Sequence, residues 1–323
     1  MERISNIRLR LLGLGIGLVA VVIGVNGCFD PNVGPAPTIK VAMTSEAIAR
    51  GYYLTNHVVA CIYCHSKQED TKMWYPVIPG TEGAGGRIFP GPGVYYAANL
   101  TPYHLGTWTD VEILRAFTTG VNKDGKALFP IMPYLSFGKM DENDAMAIVA
   151  YLRTLKPIEN DVPASHSKFP MNLIEGTIPT KAQFEQRPDK ADVVRYGAYL
   201  ANLANCIECH TVRGSFGSRK KGSEFSGGQE FPLPTGGTIR SANLTPDIKT
   251  GIGAWTKETF VARFKAFDNQ AAANSKAARN SYNSIMPWLS FAGMTDEDLG
   301  AIYAYLRSVK PIEHEFQQFT PGE

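Results

Sequence analysis

The chain is written twice, and that most limits what it can fold into. Gly51-Tyr52-Tyr53-Leu54 returns as Gly197-Ala198-Tyr199-Leu200, and Cys61-Ile62-Tyr63-Cys64-His65 returns as Cys206-Ile207-Glu208-Cys209-His210. Asn99-Leu100-Thr101-Pro102 and Trp108-Thr109 return as Asn243-Leu244-Thr245-Pro246 and Trp255-Thr256. Ile131-Met132-Pro133-Tyr134-Leu135-Ser136-Phe137 returns as Ile285-Met286-Pro287-Trp288-Leu289-Ser290-Phe291. The copies are 145 residues apart at the cysteines and 154 at the methionines, so the second carries its main insertion between Trp255 and Met286. Such a repeat implies one folding unit made twice by internal duplication.

Each copy ends in a helix signal. Ala145, Ile148, Val149, Leu152 and Leu155 fall on one helical face, as do Leu299, Ile302, Tyr303, Leu306 and Val309. Asp141 and Thr295 are the expected N-caps, the latter with Asp298 at the third helical position. Pro157 and Pro311 stop the two helices. Strand-like alternation is scarce, so the expected fold class is all-α with long loops. The expected units are 40–160 and 190–315, joined by a proline-rich linker at 161–189 and followed by a tail at 316–323.

The N-terminus reads as an address. Arg3, Arg8 and Arg10 precede the apolar and glycine run Leu11–Val25, the pattern of a signal peptide. Val25-Asn26-Gly27-Cys28 resembles a bacterial lipobox, which predicts a lipoprotein-type signal at 1–27, lipidation of Cys28 and a Pro/Gly tether at 28–39. The other reading is an uncleaved anchor, since Leu9–Val25 reaches the ~17 residues that a spanning helix needs. Both predict export to the periplasmic side of a bacterial membrane. Those arginines, set against Glu2, also account for the whole chain's formal charge of +2, leaving the body neutral. Nucleic acid is therefore excluded as the main partner.

Five cysteines close the count. C-x-x-C-H is the attachment pattern of c-type haem: one helical turn offers both thiols to the ring's vinyl groups, and the adjacent His offers its imidazole to the iron. A disulfide or thioredoxin-like reading does not ask for a following His, twice, and zinc would want further Cys or His pairs at short spacing. Two covalently bound haem c groups are expected, on Cys61 and Cys64 with His65, and on Cys206 and Cys209 with His210. Cys28 is left for the lipobox.

The sixth iron ligands expected are Met132 and Met286, repeated in register and each followed by proline. A thioether is a soft, neutral ligand that favours reduced iron, and proline stiffens the ligand loop. Met140 and Met294, also repeated, lie just before helix caps and read as packing. His57, His104, His166 and His314 lack repeat partners and read as packed or surface residues. For Trp108 and Trp255 two readings stay open: a staple before the next helix, or an indole N–H donated to a haem propionate. Asn99 and Asn243 read as turn formers or as residues at the haem edge. The run Arg219-Lys220-Lys221 reads as a solvated loop or a docking patch.

The order of G-x-Y-L helix, C-x-x-C-H, N-L-T-P, Met-Pro loop and Y-L-R helix resembles class I cytochrome c, present in tandem. Asn243-Leu244-Thr245-Pro246-Asp247, Gly251-Ile252-Gly253-Ala254-Trp255 and Asp296-Glu297-Asp298-Leu299 are similar to the cytochrome c subunits of bacterial membrane-bound alcohol, gluconate and related dehydrogenases. Many of those carry three haem domains and a C-terminal membrane helix; here there are two, with no clear such helix. The resemblance implies an electron carrier, not an enzyme, with a dehydrogenase upstream and an oxidase or other respiratory complex downstream. The alternatives are a dihaem peroxidase with one open iron and a haem-bearing subunit of a terminal oxidase.

Overall fold

The computed structural model describes residues 31–35, 39–214 and 217–322; Cys28 and the apolar N-terminal run lie outside them. The N-terminal half contains α1 (Ser45–Tyr53), α2 (Cys61–Cys64), β1 (Ile88–Gly91), β2 (Gly93–Tyr96), α3 (Asp110–Thr119), α4 (Tyr134–Phe137) and α5 (Glu142–Leu152). Strand β3 (His166–Ser167) follows. The C-terminal half contains α6 (Val193–Leu203), α7 (Cys206–Cys209), β4 (Glu230–Pro232), β5 (Thr238–Arg240), α8 (Lys257–Lys265), α9 (Trp288–Phe291), α10 (Asp296–Ser308) and β6 (Phe319–Thr320).

Local sequence explains the helix ends. Asp141 accepts from the amides of Asn143 and Asp144, and Thr295 accepts from that of Asp298, so both expected caps form. Thr109 and Glu112 make a reciprocal capping box on α3. In each half the first long helix crosses the last one, α1 on α5 and α6 on α10. The crossings are close because each passes at glycine. A Cβ on Gly51 would lie 1.9 Å from the Ala147 carbonyl oxygen, and one on Gly197 would lie 1.9 Å from that of Ala301.

The halves share one hydrophobic core, with Leu54, Leu114 and Met140 of the first half and Leu200, Met294 and Leu306 of the second almost wholly buried. Each such side chain contributes about 1.5–3 kcal/mol by leaving water. No helix among the described residues is long and apolar enough to cross a membrane.

The expectation of an all-α fold needs correction. Two three-stranded antiparallel sheets are present, ordered β1-β2-β3 and β4-β5-β6. Their strands are two to four residues long, and β1, β2 and β4 contain glycine or proline, so they are too short to show alternation. Each third strand comes from beyond its half's terminal helix: β3 from the segment expected to be linker, β6 from that expected to be tail.

One difference in length has a local cause. Ten residues separate Gly51 from Cys61, but nine separate Gly197 from Cys206. The extra residue widens the end of α1 into a π-turn at Leu54–Val58, closed by the bond from the Val59 amide to the Leu54 carbonyl at 2.8 Å.

Candidate functional site

Each C-x-x-C-H segment is a single helical turn entered through a left-handed residue, Ala60 at φ 56° and Asn205 at φ 57°. That conformation turns the chain abruptly into the cysteine turn. Asparagine tolerates it and alanine does not, at a cost of roughly 1–2 kcal/mol. Cys61, Cys64, Cys206 and Cys209 form no disulfide among the described residues. Burial raises the thiol pKa of Cys61 and of Cys206.

The histidines are oriented alike. His65 Nδ1 lies 2.8 Å from the Ala98 carbonyl, and His210 Nδ1 lies 2.7 Å from that of Ala242. A carbonyl only accepts, so Nδ1 carries the proton in both rings and Nε2 keeps its lone pair for a metal. Burial lowers both pKa values, with Arg87 adding to the effect at His65, which keeps the rings neutral. The accepting carbonyls belong to the residues just before Asn99 and Asn243.

Those asparagines prove to be braces. Asn99 Oδ1 accepts from the Thr101 amide and hydroxyl at 2.9 and 2.7 Å, while Nδ2 donates to the Ile158 carbonyl at 2.9 Å. Asn243 repeats this with Thr245, at 2.9 and 2.8 Å, and with the Ile312 carbonyl at 2.8 Å. Each ties the loop carrying the histidine's acceptor to the chain leaving the terminal helix.

Met132 and Met286 are half-buried against the core, at the mouths of α4 and α9. Prolines 133 and 287 stand at the N-caps, and the Tyr134 and Trp288 amides fold back to the methionine carbonyls at 2.8 and 2.7 Å. Met140 and Met294 are fully buried, as packing residues are.

Some buried polar atoms are unanswered. Trp108 Nε1, Tyr134 Oη, Arg115 Nε and Thr55 Oγ1 are buried without a hydrogen-bond partner among the described residues. Such groups are uncommon and call for an explanation. Trp108 packs against the core as a staple would, but its N–H is unspent. Paired thiols, neutral imidazoles with a free Nε2, and a buried indole donor fit a covalently held haem.

Of the other candidates, His104 lies beside Trp108 with ring centroids 5.7 Å apart, and His314 Nδ1 meets the Ser226 carbonyl at 3.2 Å. His166 sits on strand β3. Arg219 is paired with Glu208, inside the second motif, at 3.2 Å, so that basic run is partly neutralised. Sequence reasoning missed the contacts between halves. Tyr199 of the second half donates to Asp144 of the first at 2.6 Å, and Tyr53 of the first donates to Asp298 of the second at 2.7 Å. The same hydroxyls accept from the Asp141 and Thr295 amides at 3.2 and 3.1 Å. The two tyrosines stand in register in the repeat, which was the one available signal.

Comparison with known proteins points to the same class of protein. Residues 194–310 match the family model for cytochrome c, so the C-terminal half carries a cytochrome c domain. The chain as a whole is homologous to cytochrome c subunits of fructose, quinone-type alcohol and gluconate dehydrogenases and to a diheme cytochrome c. It is 29% identical to the fructose dehydrogenase cytochrome subunit of Gluconobacter japonicus over 86% of this chain and 56% of that one. It is 28% identical to the cytochrome c subunit of the quinone alcohol dehydrogenase of Gluconobacter oxydans, over 93% of this chain and 60% of that one. A diheme cytochrome c-type protein of Cereibacter sphaeroides is 28% identical over 94% of this chain and 99% of its own length. The chain thus spans little more than half the length of the dehydrogenase subunits it matches.

Proposed function

We propose that this protein is a dihaem electron carrier, a cytochrome c subunit or partner of a dehydrogenase, built from two copies of one haem-binding unit at about 40–160 and 190–315. The observation that carries the reading is the matched pair of histidines beside paired thiols, with Nδ1 spent on a backbone carbonyl in both halves. Cys61, Cys64, Cys206 and Cys209 hold the two rings through thioethers, His65 and His210 are the proximal ligands, and Met132 and Met286 complete the coordination. Trp108 Nε1 donates to a propionate. When bound, haem iron supplies a one-electron couple. The chain's own residues keep the imidazoles neutral, hold the ligand loops rigid and exclude water, which suits electron transfer without bond-making.

The upstream donor in this reading is a periplasmic dehydrogenase, since the relatives are cytochrome subunits of dehydrogenases, and the acceptor is an oxidase or other respiratory complex. The N-terminal segment holds the protein at the membrane, through lipid on Cys28 or through an uncleaved helix.

The test is a visible spectrum of the purified protein, oxidised and reduced, with and without carbon monoxide. Two covalent haems per chain, a thioether-to-iron band and no carbon monoxide shift are expected. A shift in one haem of the wild type would overturn the carrier reading and bring forward a peroxidase with one open iron. Met132→Ala and Met286→Ala should each keep the covalent haem, lose one contribution to the band and lower one potential. If neither variant alters the band, the methionine assignment falls.

A further inference from the structure

The ligand loops are not held by their own halves alone. His57 Nδ1 lies 3.0 Å from the Ser290 carbonyl, in the turn that follows Met286. In reciprocal fashion Asn202 Nδ2 donates to the Ser136 carbonyl, in the turn that follows Met132, at 3.1 Å. Ser290 and Ser136 are equivalent in the repeat, and so are His57 and Asn202 when counted from the cysteines. Each attachment helix therefore grips the methionine loop of the opposite half.

The π-turn brings His57 into that role. Counted from the glycine that starts each motif, Asn56 would match Asn202, but Asn56 is turned back to the Tyr52 carbonyl at 2.9 Å. The extra residue moves the next side chain, His57, onto the interface. Gly293 makes room for it: a Cβ there would lie 2.0 Å from His57 Nδ1. The matching position opposite the smaller Asn202 is Lys139. A further contact reinforces the first-half loop, from the Ser136 hydroxyl to Asn205 Oδ1 at 3.1 Å.

We infer that His57 and Asn202 are positioning residues for the methionine ligand of the opposite haem, so that each unit's attachment helix sets the coordination of its neighbour. Both donors reach a carbonyl within one turn of the methionine. Loss of either bond frees the turn four residues beyond the methionine, and with it the loop that would hold the thioether. A thioether ligand favours reduced iron, so loosening it lowers the potential of that haem. The inference rests on Met132 and Met286 being ligands.

The experiment uses the full-length protein with both haems, and the variants His57→Leu, His57→Asn, Gly293→Ala and Asn202→Ala. Met132→Ala and Met286→Ala serve as references that assign each haem's band and potential. His57→Leu should weaken the contribution that Met286→Ala abolishes and lower that haem's potential, leaving the other haem at its wild-type value. Amide exchange in residues 286–294 should quicken in the same variant. His57→Asn, which copies the donor of the other half, should restore both signals. Gly293→Ala, which pushes the ring aside, should reproduce His57→Leu if that variant fails to fold. Asn202→Ala should affect the haem assigned by Met132→Ala.

Unchanged exchange and an unchanged band in His57→Leu and Gly293→Ala would overturn the inference. So would a change confined to the haem on Cys61 and Cys64, since that is the effect of ordinary damage to the helix bearing His57. A wild-type band in both methionine variants would instead sink the ligand reading itself, and the inference with it. The reference variants tell the two failures apart.

Discussion

Asp144 and Asp298 occupy the same place, near the start of each half's terminal helix, and both are buried under a tyrosine from the other half. Their charge is answered differently. Asp144 faces Arg50, at 2.9 and 2.7 Å, and Arg187 at 2.7 Å. Asp298 has Tyr196 at 3.1 Å, in the place Arg50 holds in the first half, and Lys190 at 3.6 Å. The repeat thus keeps the position and the shape of the lock while changing how its charge is met. A buried carboxylate needs enough donors, and guanidinium or phenol can each supply them.

The largest way to break the comparison is to remove each acid. Asp144→Ala leaves the half-buried Arg50 without its partner and should cost about 3–5 kcal/mol of stability. Asp298→Ala strands two phenols and an exposed lysine, which water can reach, and should cost about 1–3 kcal/mol. Urea unfolding of the two holo-proteins measures both, and equal losses would erase the distinction. Where the halves are alike, they should fail alike. Gly51→Ala and Gly197→Ala each drive a methyl group into a backbone carbonyl and should lose similar stability, about 1–3 kcal/mol or more. A large difference between these variants would mean that one crossing can relax and the other cannot.

Acid sharpens the contrast further. Burial would raise the Asp144 pKa, but Arg50, Tyr199 and Arg187 together hold it below its ordinary 3.8. A carboxyl whose pKa is lower folded than unfolded adds stability above its unfolded value and loses it as pH falls through the folded one. Stability should therefore drop below about pH 4, and Asp144→Asn should flatten that part of the curve. Denaturation midpoints across the acid range decide it. An unchanged slope in Asp144→Asn would assign the acid sensitivity to another group.

The smallest effect concerns the left-handed residues before the cysteines. Ala60→Gly should gain about 1 kcal/mol by relieving an unfavourable φ, whereas Asn205→Gly should gain little, since asparagine already tolerates that region. Thermal midpoints of the holo-proteins would show the difference. Equal gains would mean that the alanine turn is not strained.

Legibility in the sequence followed the range of the interaction. The repeat register, the cysteine turns, the caps at Asp141 and Thr295 and the burial of Met140 and Met294 could be read, because each depends on a few neighbouring residues. The short strands could not, since two to four residues with glycine and proline carry no period. The carbonyls of Ala98 and Ala242, acceptors for the two histidines, lie more than thirty residues from their donors. Nothing local marks them until the loops close.

Two C-x-x-C-H motifs in register, each followed by its own methionine-proline loop and helix, are legible from the residues alone. Motif spacing and helix formation are properties of residue type and near neighbours. Only the tertiary structure decided which half each polar side chain serves. Tyr53, Tyr199, His57 and Asn202 reach across the molecule because the halves share one core, and a buried donor must take whatever acceptor the packing brings within about 3 Å.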